Sequence, residues 1–148
     1  MIRPFSFSDL DSILQVEHQS FPKSPYDWAT FINLHWLYPE TFWVYIGTEG
    51  DREGNQILGY IIFSRDGHII SIAVRAQHRG RGIGKELLEE AMKTLPSKKL
   101  WAEVRKSNHG AQAFYLKMRF QIIGEVPNYY GNEDALIIQW TPSPPQTE

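Results

Sequence analysis

The chain has 148 residues, 42% apolar and 22% charged, with a net charge of −2 and no cysteine. That length suits one domain with one core, and the near-neutral charge argues against a nucleic-acid partner bound through broad phosphate neutralisation. Disulfides, thiolate metal sites and a cysteine nucleophile are excluded. No apolar stretch is long enough to span a membrane, and Met1 to Leu10 is not a basic-then-apolar leader, so a cytoplasmic protein without a membrane partner is expected.

In chain order, Ile2 to Phe5 reads as a short strand. Ser8 and Asp9 then offer N-caps for a helix that turns Leu10, Ile13, Leu14 and Phe21 inward and stops before Pro22. Pro22 and Pro25 bracket a rigid turn, after which Trp28, Phe31, Ile32, His35 and Trp36 recur at helical spacing; core packing is the expectation for most of these aromatics. Phe42 to Thr48 and Gln56 to Arg65 read as antiparallel strands joined by a polar, solvated loop at 49–55. Asp66-Gly67 turns the chain into Ile69 to Val74, whose β-branched run reads as a central strand buried on both faces.

Next comes Arg79-Gly80-Arg81-Gly82-Ile83-Gly84, and then a helix beginning near Gly82 with Ile83, Leu87, Leu88, Ala91, Met92 and Leu95 on one stripe. Lys99 to Val104 reads as a strand, and Asn108 starts a helix carrying Ala111, Phe114, Tyr115 and Met118. Phe120 to Val126 and Ala135 to Trp140 form a last hairpin. The organisation expected is one domain over residues 1–140 and a proline-rich, flexible tail over 141–148. The five histidines form no compact ligand cluster, so no metal site is expected and they read as ordinary surface or partly buried residues.

The glycine-rich turn carries the chemistry. Glycines at alternate positions let several backbone N–H groups converge on one ligand, and the unpaired N–H groups and dipole of the following helix favour an anion there. Arg79, Arg81 and Lys85 add formal charge, which points to a phosphate or pyrophosphate guest. The dinucleotide fingerprint G-x-G-x-x-G fails because Lys85 stands three residues after Gly82. The G-x-x-x-x-G-K-[ST] loop fails because Gly80 and Gly84 enclose only three residues and Glu86 follows Lys85.

R-x-x-G-x-G after a β-branched strand resembles the acetyl-CoA pyrophosphate loop of the GCN5-related N-acetyltransferases. GHIISIAV, LWAEVRKSN, AFYLKMRF and NYYGNEDALIIQW are similar, in the same order, to the branch that holds the ribosomal-protein alanine acetyltransferases and their archaeal relatives. The resemblance implies an α/β fold, with a mixed, largely antiparallel sheet flanked by helices on both faces. It also implies acetyl-CoA as the acyl donor and a protein or peptide N-terminus as the acceptor.

Residue by residue, it places Ile72, Ala73 and Val74 along the acetyl and pantetheine arm, with free N–H groups near Val74 able to hold an oxyanion. Arg79, Gly80, Arg81, Gly82, Ile83, Gly84, Lys85 and Asn108 fall on the rest of the coenzyme. Glu103 falls on the general base, its alternative being a surface salt bridge to Arg105 or Lys106. Tyr115 falls on the acid that protonates the leaving sulfur, its alternative being a core aromatic beside Phe114. Phe21, Pro22 and Tyr26 in the helix-to-helix loop, and Tyr129 and Tyr130 in the last hairpin, fall on the peptide site.

Deprotonating a free lysine at pH 7 costs about 4.6 kcal/mol against about 1 kcal/mol for a peptide α-amine, so a single carboxylate base suits the α-amine better. A small-molecule amine acetyltransferase and a non-catalytic coenzyme-binding sensor are the alternatives. The chain departs from the family at Arg119, where glycine is usual. A left-handed cap there costs about a kilocalorie or more, so a local difference at that helix end is expected.

Overall fold

The computed structural model describes residues 1–47, 56–96 and 98–142; the polar loop at 49–55 and the tail from 143 lie outside the described residues. Among the described residues, seven strands and four helices follow in the order β1 (Ile2–Pro4), α1 (Leu10–Ser20), α2 (Trp28–Leu37), β2 (Phe42–Ile46), β3 (Ile57–Phe63), β4 (Ile69–Val74), α3 (Ile83–Thr94), β5 (Leu100–Arg105), α4 (His109–Lys117), β6 (Gln121–Val126) and β7 (Ala135–Trp140). Short 3-10 turns at Phe7–Asp9 and Ala76–His78 precede α1 and α3. The first turn is closed by Asp9, which accepts the Ser6 N–H at 2.9 Å and pairs with Arg3 at 2.8 Å.

The strands form two antiparallel sheets, ordered β1-β2-β3-β4 and β5-β7-β6. They meet at one parallel bridge, His68 to Trp101, where the Trp101 N–H donates to the Gly67 carbonyl at 3.0 Å. Beyond that bridge β4 and β5 diverge. Every residue of β3 is buried, whereas Ile70, Ser71, Ile72 and Val74 of β4 are only partly so. The strand covered on both faces is therefore β3, and not β4 as its β-branched run suggests, because the far edge of β4 opens into the divergence.

Two apolar clusters follow from the alternation of β3 and its neighbours. Ile61 and Phe63 pack with Leu87, Leu88 and Ala91 of α3, with Leu100, Ala102 and Val104 of β5, and with Tyr115 of α4. Tyr60 and Ile62 pack on the other side with Ile13 and Val16 of α1 and Phe31 of α2. Helices thus cover both faces, as expected.

Two expectations fail in α2. Trp28 is 60% and Trp36 73% exposed, because the helix turns only its Phe31 side to the sheet. An apolar stripe alone does not say which side of a short, generally apolar helix faces in.

Arg119 does not alter the end of α4. It takes φ 70°, and the Phe120 N–H donates to the Tyr115 carbonyl at 3.0 Å while the Arg119 N–H donates to Leu116 at 3.1 Å. This is the double bond pattern of a Schellman cap with arginine in the left-handed position. Arg119→Gly is expected to stabilise the fold by about 0.5–1 kcal/mol, since relief at positive φ exceeds the added freedom of the unfolded chain. A lower melting temperature would show that the arginine side chain supports the cap.

Candidate active site

The divergence of β4 from β5 makes a cleft of about 730 Å³ that crosses the molecule from the glycine turn to the loops after α1 and β6. At the glycine end, Gly80 and Gly82 take φ of 80° and 86°, and a Cβ at either would meet nothing within 4 Å. Their role is conformational: backbone that L side chains adopt only at a cost leaves the N–H groups ahead of α3 uncovered. Gly82, Ile83, Gly84 and Lys85 line the cleft with Arg79, whose Nε donates to the Val74 carbonyl at 3.1 Å and whose Nη2 donates to Ser20 at 3.1 Å.

Arg81 is different. Its guanidinium turns to Nδ1 of the buried His78 at 3.0 Å, and its side chain does not line the cleft. His78 does, a residue that reading the histidines as ordinary overlooked.

Along β4, Ile72, Ala73 and Val74 form one wall. The Arg75 N–H points to β3, bonding the Leu58 carbonyl at 2.7 Å, so by strand alternation the N–H of Val74 points the other way, into the cleft. An N–H so directed could hold a developing oxyanion. Asn108 caps α4, accepting the Ala111 N–H at 3.1 Å, and also lines the cleft.

On β5 the residues at 101, 103 and 105 share the face turned to the cleft side, while Leu100, Ala102 and Val104 enter the core. Glu103 lines the cleft, and Oε2 meets Nε2 of His68 at 2.7 Å; the His68 ring stacks on Trp101 with centroids 5.1 Å apart and planes 4° apart. The salt bridges weighed for Glu103 do not form, because Arg105 pairs with Glu133 at 3.1 Å and Lys106 with Glu125 at 2.6 Å. The hydrogen bond between them raises His68 above the usual imidazole value and holds Glu103 below the usual carboxylate value. His68 is the second residue sequence reasoning missed. Its only signal was that it stands at the mouth of β4, where the parallel bridge sets it beside Trp101.

Tyr115 is 5% exposed and lies between Phe114 and Phe120, with its side chain at the cleft wall. Burial, joined each time by the Glu103 carboxylate, pushes the phenols of Tyr26, Tyr115, Tyr129 and Tyr130 above the ordinary tyrosine value, Tyr130 to about 12. Three of these phenols, Tyr26, Tyr115 and Tyr130, share the cleft lining with Glu103. Phe21, Tyr26 and Tyr130 line the cleft; Tyr129 is 50% exposed and packs edge-on against Tyr130, and Pro22 is exposed in the turn after Phe21. Glu17, 1% exposed, holds this end from beneath: it accepts the Tyr26 N–H at 2.9 Å and the Tyr60 hydroxyl, which also bonds Ser71.

The sequence profile of the Acetyltransferase (GNAT) family matches residues 9–120. The chain is 33% identical to a putative ribosomal protein bS18-alanine N-acetyltransferase of Bacillus subtilis over 93% of this chain and 92% of that one. It is 30% identical to an N-alpha-acetyltransferase of Saccharolobus solfataricus over 93% of this chain and 90% of that one. Among solved structures, Ard1 from Thermoplasma volcanium superposes with a TM-score of 0.82 at 28% identity, over 95% of this chain and 96% of that one. The chain belongs to the acetyltransferase (GNAT) family. It is an acetyl-CoA-dependent N-acetyltransferase, and the cleft lining fits that donor: the glycine turn with Arg79 and Lys85 could hold the pyrophosphate and the β4 edge the arm, with Glu103 and Tyr115 in the same cleft. No described helix is long and apolar enough to cross a membrane.

Proposed function

We propose that this acetyltransferase acts on the N-terminal α-amine of a protein or peptide, in one domain spanning residues 1–140, in the cytoplasm. The observation that carries the reading is Glu103 in the wall of a cleft that Tyr26 and Tyr130 also line, from the two loops that flank its mouth, with Tyr129 packed against Tyr130. An ionised carboxylate suits an α-amine, which is already about half neutral near pH 8, and phenols from two loops suit the peptide groups that follow it.

In a ternary complex, the neutral amine attacks the thioester carbonyl directly while the Val74 N–H holds the carbonyl oxygen. Glu103 accepts the amine proton as the C–N bond forms. His68 keeps that carboxylate ionised and fixed in direction. Tyr115, kept protonated at neutral pH by burial, hydrogen-bonds the departing sulfur and gives it a proton when the C–S bond breaks, and the proton that Glu103 took from the amine passes through solvent to restore the phenol before the next turnover.

Tyr115→Phe is expected to lower kcat about 10²-fold with little change in peptide KM, because the lost hydroxyl acts in the transition state. Unchanged kcat would remove Tyr115 from the mechanism. The archaeal relative named an N-alpha-acetyltransferase supports the acceptor class.

A further inference from the structure

Two residues beyond Glu103 on the same face of β5, Arg105 turns both Nη groups and one face of its guanidinium to the loops around the acceptor. Nη1 donates to Asn132 Oδ1 and Glu133 Oε1, each at 3.1 Å, and Nη2 donates to Ser24 Oγ at 2.7 Å. The plane sits 4.2 Å from the centroid of the Tyr130 ring. Glu133 in turn accepts the Ser107 N–H at 2.8 Å and lies 3.7 Å from the Lys23 ammonium, which itself donates to Ser107 Oγ at 3.2 Å.

The α1–α2 loop, the β5–α4 turn and the β6–β7 loop are thereby tied at one point. Arg105 and Glu133 are only 13% and 14% exposed there, and hydrogen bonds from Ser107 and Arg105 hold Glu133 down to about 2. A solvated surface pair contributes little, but a shielded, forked guanidinium with partners in two loops fixes their separation, and lysine cannot reproduce that fork.

We propose that Arg105 is the positioning residue that assembles the acceptor site, setting the α1–α2 loop against the β6–β7 loop so that Tyr26 and Tyr130 face one substrate backbone beside Glu103. This rests on the acceptor reading above. The glycine turn and β4 lie apart from the clasp, and α4 meets it through backbone, the Asn108 N–H donating to the Arg105 carbonyl at 2.9 Å, a bond that a change of the Arg105 side chain leaves in place, so the side-chain clasp acts chiefly on the acceptor.

The test compares Arg105→Gln, Arg105→Lys, Glu133→Gln and the Arg105→Gln/Glu133→Gln double variant with the unaltered protein. Three quantities are read: hydrogen exchange of segments 21–27 and 128–134, acetyl-CoA affinity by calorimetry, and steady-state kinetics at saturating acetyl-CoA. In Arg105→Gln both segments are expected to lose protection together while β4 and α3 keep theirs. The acceptor KM should rise about tenfold or more, with acetyl-CoA affinity within about twofold of the starting value.

Arg105→Lys should recover only part of that loss, and the double variant should be little worse than either single one, as for one shared interaction. Independent exchange in the two segments overturns the clasp whatever the acceptor proves to be. An unchanged KM, or a KM and an acetyl-CoA affinity that worsen together, overturns its role in acceptor positioning. If the unaltered protein acetylates lysine or a small amine and no α-amine, the acceptor reading fails by itself, and KM is then measured on that amine.

Discussion

Glu103→Gln is expected to lower kcat by about 10²- to 10⁴-fold, the range found when a positioned general base is removed, while acetyl-CoA binding and the melting temperature stay close to their starting values. Glutamine keeps the shape and can still accept a hydrogen bond from His68, so the change removes basicity more than structure. Full turnover would exclude Glu103 as the base.

The pair also predicts a pH signature. His68 is raised by its bond to Glu103, so the form with neutral His68 and ionised Glu103, the stronger base, accumulates only above the ordinary imidazole value of 6.5. Below it, protonated His68 weakens the base at the same time as the α-amine takes up its own proton. The fall of log kcat/KM toward acid should therefore be steeper than a slope of one in the unaltered enzyme, and close to one in His68→Gln, where the amine alone titrates in this range. Equal slopes would show that His68 does not titrate with the base.

Stability moves with the same groups. The raised His68 contributes fully below 6.5 and loses its contribution as pH rises through its folded value. The lowered Glu103 contributes above 4.5 and loses its contribution as pH falls through its own folded value, so the pair supports the fold most between those limits.

Gly67→Ala should have the largest effect on the fold. Gly67 takes φ 104°, and a Cβ would stand 2.0 Å from the Lys99 carbonyl oxygen and 3.1 Å from the Lys99 carbonyl carbon, both backbone atoms that cannot swing aside. Its own carbonyl accepts the Trp101 N–H at 3.0 Å, the bond that joins the two sheets before the cleft opens. Alanine must push β5 away from β4, and a loss of about 3 kcal/mol or more is expected, roughly 10 °C in melting temperature for a chain of this size. Because the same junction sets His68 against Trp101 and Glu103, surviving protein should also lose turnover. Gly80→Ala is the control: its φ of 80° carries the conformational cost, about 1–2 kcal/mol, but there is open space around it. If Gly67→Ala melts within about 2 °C of the starting protein, the sheet junction is more compliant than its close contact implies.

These two sites mark where the sequence was and was not informative. The strand, glycine turn and helix from Ile69 to Leu95 were legible because apolar period changes from two to 3.6 across glycines that local geometry requires. Glu103, Tyr115 and Asn108 were legible because ordered motifs fixed their places, and the structure gathers them about the cleft. His68 was not. Its partner lies 35 positions away, and only the parallel bridge between two diverging sheets brings them within 2.7 Å. Arg105 was weighed solely as a partner for its near neighbour Glu103, whereas its bonds run to Ser24 and Glu133 in distant loops.

The inward side of α2 escaped for the opposite reason. A helix bearing Trp28, Phe31, Ile32 and Trp36 is apolar nearly all round, so period could not choose the face, and packing of Phe31 against Phe42 and Tyr60 decided it. Arg119 shows a local preference overridden. The chain accepts the left-handed cap without glycine, because the two bonds that close α4 and the burial of Tyr115 and Phe120 depend on it.

What defines this enzyme is the amine that enters the cleft. The most direct test is mass spectrometry of products from acetyl-CoA and a mixed library of peptides with free N-termini, each also carrying an internal lysine. Acetyl confined to the α-amine, and lost with Glu103→Gln, is the predicted result. Acetyl on lysine with the α-amine untouched would make the enzyme a lysine acetyltransferase instead.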